Sequence, residues 1–86
     1  MTHEDLKKQD DADVRALLRT REGARFFARL LELTRVFEIS YIPHDAHGTA
    51  FNEGVRNVGL AVYEGIAEAG GLGLVQDAAR ERRIER

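Results

Sequence analysis

The sequence predicts an all-α fold: a small antiparallel helical hairpin or bundle of three to four helices with flexible ends. Apolar residues recur at helical steps in two long segments, and proline and glycine, which interrupt helices, fall between and after those segments. The 86 residues suffice for one domain. Within it we predict a disordered N-terminal arm at 1–10, a helical domain at 11–70 and a C-terminal helical tail at 71–86.

The first predicted helix begins at Asp11 or Asp13, because an aspartate side chain accepts hydrogen bonds from the free N–H groups of a first helical turn. Its apolar residues are spaced i, i+3, i+4 and are Val14, Leu17 and Leu18. The helix is expected to end near residue 20.

The second predicted helix is capped by Thr20 and runs to about residue 37. Glu22 lies in its first turn, where a negative charge interacts favourably with the helix dipole. The apolar residues form a broad stripe that should face the core, made of Phe27, Leu30, Leu31, Thr34 and Phe37.

A loop around Pro43 leads to a third predicted helix, capped by Thr49 or Asn52 and ended by Gly70. Its apolar residues are spaced 4, 3, 4 and 4, and are Phe51, Val55, Val58, Val62 and Ile66. We expect the second and third helices to pack as an antiparallel pair whose core is Phe27, Leu30, Leu31, Phe37, Val55, Val58 and Val62. The tail has a weak apolar face, so its helix is expected to need contact with a partner.

A short repeat, Glu-Gly-x-Arg, occurs at 22–25 and again at 53–56, each time near the start of a predicted helix. Glycine inside a helix costs about 1 kcal/mol relative to alanine. Two glycines in matched places, Gly23 and Gly54, therefore suggest close approach of neighbouring backbones, with chance as the rival explanation.

Charge and composition argue against nucleic-acid binding, catalysis and metal binding. The net charge of −2 lacks the basic excess of a nucleic-acid-binding protein; a ridge of arginines from 15 to 35 is interleaved with glutamates. There is no cysteine, no nucleophile motif is recognisable, and no enzyme activity or cofactor is expected. His44, Asp45 and His47 alone resemble a metal-ligand set, and we interpret them as exposed loop histidines beside an Asx turn.

No apolar run approaches the ~20 residues that span a bilayer. The first 14 residues carry acids where a signal peptide has its apolar segment. We therefore expect no membrane span and a protein that stays in the compartment where it is made.

Two blocks carry a family resemblance. The first runs from Thr20 to Phe37 and contains Glu-Gly-Ala-Arg-Phe-Phe-Ala-Arg-Leu-Leu before Val-Phe; the second, Phe-Asn-Glu-Gly-Val-Arg-Asn-Val-Gly-Leu, spans 51–60. In order and separation they resemble the Bbp-nineteen-like family of short tailed-bacteriophage proteins, over residues 14–66. Two departures are Ala24, where arginine is common, and Thr34-Arg35, in place of a small residue and glycine.

The resemblance implies a non-enzymatic, virion-associated structural accessory protein, made in the host bacterial cytoplasm and carried in the virion. Its partners would be larger virion proteins of the portal, tail or ejection apparatus, with several copies in an assembly. The alternatives are a host-takeover protein that inhibits a host enzyme and a nucleic-acid-binding accessory. Candidate interface residues are Arg25, Arg56, Arg80, Arg82, Arg83 and Arg86.

Overall fold

The computed structural model describes residues 1–84, which form four helices: α1 (His3–Leu18), α2 (Arg21–Leu33), α3 (Ala46–Glu68) and α4 (Leu72–Ile84). The predicted all-α bundle is confirmed. None of these four helices is both long enough and apolar enough to cross a membrane.

Helix α1 begins at His3, eight or ten residues before the predicted start at Asp11 or Asp13, so the predicted disordered arm at 1–10 is helical from His3. The cause is a capping box. The Thr2 hydroxyl accepts from the Asp5 amide at 3.1 Å, and the Asp5 carboxylate accepts from the Thr2 amide at 3.1 Å. Together they satisfy two of the backbone donors that a helix start leaves free.

Helix α2 begins at the predicted cap, where the Thr20 hydroxyl accepts from the Gly23 amide at 2.9 Å. It ends at Leu33, earlier than predicted, because Arg35 adopts the left-handed conformation with φ 52°. The amides of Arg35 and Val36 then donate back to the carbonyls of Glu32 and Leu31 at 3.2 and 3.5 Å. This is a Schellman turn, and Val36 within it is buried.

Helix α3 starts at Ala46, capped by Asp45, whose carboxylate accepts from the Gly48 amide at 2.8 Å. The predicted caps serve the preceding connection instead. The Thr49 hydroxyl accepts from the Ile42 amide at 2.8 Å, and the Asn52 side chain donates to the Ser40 carbonyl at 3.3 Å. The helix ends, as predicted, at the glycine pair, with Gly70 at φ 73°.

The core lies where α2 meets α4, and this pair makes the most extensive helix contact of the molecule. Its buried apolar residues are Leu18, Ala24, Phe27, Ala28, Leu31, Val36, Ile66, Val75 and Ala78. The tail expected to depend on a partner is therefore part of the core, because Val75 and Ala78 of α4 cover the stripe of α2. Deleting it would remove core residues.

The predicted pairing of α2 with α3 is thus wrong in detail. Phe27 and Leu31 are buried as expected, whereas Leu30, Val55 and Val62 are half-buried. Phe37, Phe51 and Val58 are exposed over 77%, 71% and 59% of their surface. Because α4 packs on the apolar side of α2, the apolar stripe of α3 is only partly buried.

Candidate protein-interaction surfaces

A groove of about 610 Å³ runs between α2 and α4. We call it the α2–α4 groove. Its apolar lining comes from both helices, from the turn after α2 and from α3, and includes Leu31, Val36, Phe37, Tyr63, Leu72, Val75 and Ala79. The Phe37 ring packs edge-on against Tyr63, with centroids 5.5 Å apart. The groove therefore offers an aliphatic floor with an aromatic pair.

The rim of the α2–α4 groove is charged. Arg82 of α4 reaches Glu32 of α2 at 3.3 Å and ties the two walls together, although the Arg82 Nε atom is buried without a hydrogen-bond partner among the described residues. Arg35 and Arg83 also line the groove. Neither of these two forms an ion pair within residues 1–84. Among the described residues, these two lining arginines have no ion-pair partner and can contact a bound partner.

A second surface lies along the outside of α3. Its six exposed residues from 50 to 61 include no charged side chain. We call this set the α3 outer face: Ala50, Phe51, Gly54, Asn57, Val58 and Ala61. The charged residues of the same turns point elsewhere, since Glu53 accepts from Ser40 of the connection and pairs with Arg56 at 3.1 Å.

A smaller groove of about 390 Å³ borders the start of this face. Phe51 and Val55 line it together with Leu33 and Ile39 from the end of α2 and the connection. Leu33 is 66% exposed and Ile39 is 88% exposed. Arg35, Glu38 and Arg56 line the same groove, so its surface mixes apolar and charged side chains.

When the sequence is compared with models of protein families, residues 14–76 match the model described as Bbp19-like phage protein. The match covers well over half of the chain and both of the blocks that carried the resemblance. The chain belongs to the Bbp19-like phage protein family. No curated protein and no solved structure matches it.

The family match spans most of what builds both surfaces in this Bbp19-like protein. It includes all of α2 and α3 and the first turn of α4, and so the α3 outer face and the floor residues Leu31, Val36 and Val75. Residues 3–13 of α1 and the rim residue Arg83 lie outside it. A phage-related role follows from the family itself.

Of the six candidate interface arginines, four form ion pairs within the protein. Arg25 pairs with Glu22 at 3.8 Å, Arg56 with Glu53, Arg80 with Asp77 and Arg82 with Glu32. Arg83 lines the α2–α4 groove, and Arg86 lies outside the described residues. The repeated Glu-Gly-x-Arg thus places an i, i+3 ion pair at each copy.

The His44, Asp45 and His47 cluster is organised as a helix start. His44 takes a left-handed conformation with φ 62°, and Asp45 caps α3. Within residues 1–84, no three His, Cys, Asp or Glu side chains are grouped so as to hold a metal ion.

The molecule is flat and carries much surface for its mass. Its Cα extents are 42 × 41 × 15 Å and its radius of gyration is 14.8 Å, against about 12 Å for a compact domain of this length. The accessible surface is 6556 Å², about 1,400 Å² more than a compact monomer of this mass exposes. The α2–α4 groove and the α3 outer face both contribute apolar area to this surface.

Neither surface was predicted from the sequence. The missing charge at 50, 51, 54, 57, 58 and 61 is visible in the sequence at helical spacing. The uncharged face was not recognised as a surface because the neighbouring apolar stripe was assigned wholly to the core. The α2–α4 groove had no such signal, since it depends on where α4 packs.

Proposed function

We propose that this protein is a non-enzymatic, virion-associated structural accessory that binds a larger virion protein of the portal, tail or ejection apparatus. The observation that carries the proposal is the α2–α4 groove, an apolar cleft with arginine on its rim in a member of a phage protein family. It is made in the host cytoplasm and carried in the particle, in several copies.

The groove indicates the chemistry of its occupant. An aliphatic floor favours an apolar segment, whose burial contributes about 25 cal/mol per Å². Arg35 and Arg83 favour carboxylates beside that segment, because arginine forms strong charge-assisted hydrogen bonds with carboxylate. We therefore expect an apolar helix or strand of the larger virion protein, bordered by Asp or Glu.

The test combines the presence of the protein in particles with a variant of the groove. Mass spectrometry of gradient-purified particles should detect the chain at a fixed ratio to the portal protein. The double variant Arg35→Gln, Arg83→Gln should be depleted from particles at least about tenfold, since a hydrogen bond to a charged group is worth about 1.5–3 kcal/mol. Both side chains contact solvent, so the variant should keep the circular dichroism spectrum of the native protein.

The matched control is Arg15→Gln, Arg21→Gln, which removes two exposed arginines away from the groove. This control should be packaged normally. Equal depletion of both double variants would contradict the groove as the binding site. Absence of the native protein from particles, with accumulation in infected cells, would overturn the structural role in favour of host takeover.

A further inference from the structure

The α3 outer face has the composition of a buried surface. One third of the chain is charged, yet none of the six exposed residues between Ala50 and Ala61 carries a charge. A helix at the surface of a soluble protein presents charged or polar residues to water. Phe51 and Val58 present apolar side chains instead, 71% and 59% exposed. Covering such a face with another apolar surface is favourable in water.

The chain exposes more surface than a compact monomer of its mass needs. The excess over the whole molecule is about 1,400 Å², and a standard interface removes about 800 Å² from each side. The α3 outer face shares no residue with the lining of the α2–α4 groove, so the two are distinct surfaces. Two surfaces on one small chain suit a protein that contacts two different neighbours.

The shape of the face identifies the neighbour. Phe51, Val58 and Gly65 lie seven residues apart and therefore on nearly the same line along α3. The line has a bulky end at Phe51 and an empty end at Gly65, where a Cβ atom would meet nothing within 4 Å. A second copy running in the opposite direction places each bulky end over an empty end.

We infer that two copies of this chain associate through the α3 outer face, with α3 antiparallel to its counterpart and a two-fold axis near Val58. A two-fold interface is self-complementary, so Val58 meets Val58, and Phe51 lies opposite Gly65, which is half-buried and just beyond the α3 outer face. Phe51 of each copy then fills the space over Gly65 of the other.

Electrostatics favour the antiparallel direction. Glu64 is the first charged residue beyond the face, and it is exposed. In an antiparallel pair centred on Val58 the two Glu64 residues lie about 18 Å apart along the axis, whereas a parallel pair brings them together. The Glu53–Arg56 pair is neutral as a unit and adds no repulsion.

The absence of cysteine from the chain allows a direct test. Val58→Cys lies on the proposed axis and should form a disulfide-linked dimer under mild oxidation. The control Ala12→Cys, exposed on α1, should not do so at the same concentration. Phe51→Cys and Gly65→Cys should cross-link when mixed and less when separate. Equal cross-linking at positions 58 and 12 would overturn the inference.

Association in solution supplies the second test. Sedimentation of the native chain should show a dimer that dissociates on dilution, and Ala61→Arg should weaken it at least tenfold because it buries a charge. The control Ala12→Arg should leave the dissociation unchanged. A native chain that stays monomeric up to millimolar concentration would overturn the inference, even if another virion protein covers the face. These tests use the purified chain, so they hold whether or not the protein is packaged.

Discussion

Alanine at the two repeat glycines should change stability in opposite directions. A Cβ atom at Gly23 would overlap the carbonyl oxygen of Leu17 and lie 2.6 Å from its carbon, both of them backbone atoms. The α1–α2 junction would have to move, and overpacking of this kind costs about 1–3 kcal/mol. At Gly54 a Cβ atom meets nothing within 4 Å, so alanine should simply gain its helix propensity, about 1 kcal/mol.

Thermal unfolding followed by circular dichroism measures both effects. One kcal/mol corresponds to about 4–8 °C in a domain of this size. Gly54→Ala should therefore raise the melting temperature by a few degrees and Gly23→Ala should lower it. Gly73→Ala, on α4 and also open, is a second control away from the α3 outer face. A stabilised Gly23→Ala, or a destabilised Gly54→Ala at low concentration, would refute the reasoning from backbone contacts.

Three further predictions follow from single positions. Gly59→Ala should destabilise by about 1–3 kcal/mol in thermal unfolding, because its Cβ would lie 2.7 Å from the Thr34 Cβ. Arg35→Gly should stabilise by about 0.5–1 kcal/mol: it relieves a left-handed conformation that costs about 1–2 kcal/mol and adds some freedom to the unfolded chain. Hydrogen bonds from the backbone and then the side chain of Thr2 lower the pKa of Asp5. An NMR titration of Asp5 should therefore find a midpoint below the usual value of about 3.9, with the capping box intact above that pH and lost as pH falls through the lowered pKa.

Local sequence signals located two helix boundaries that depend on a single cap and missed a third, the Asp45 cap of α3, which was expected at Thr49 or Asn52. Thr20 caps α2 and Gly70 ends α3 as expected. The start of α1 was missed because Asp5 stands where capping boxes usually have Glu or Gln. The end of α2 was missed because Arg35 takes a conformation that glycine usually takes.

The helix pairing could not be read from periodicity. The stripes of α2 and α3 each specify one apolar side, and they do not specify which helix covers it. The contribution of α4 was underestimated because its buried residues, Val75 and Ala78, are small. Gly59 was likewise overlooked, although its missing side chain is what lets α3 approach Thr34 and Val36. Close approach of this kind is a property of the assembled helices.

The capping box at Thr2 has a consequence for local opening. Residues 3–10 of α1 are exposed on every side, so their helical structure depends on backbone hydrogen bonds and on this cap. A helical segment of that length is marginal in water without packing. Amide protons there should exchange with solvent quickly, through fraying that leaves the rest intact. Exchange should be slowest around Ile66, the most deeply buried side chain of the described residues. The chain thus combines a firm centre with a helical extension that can unwind without global unfolding.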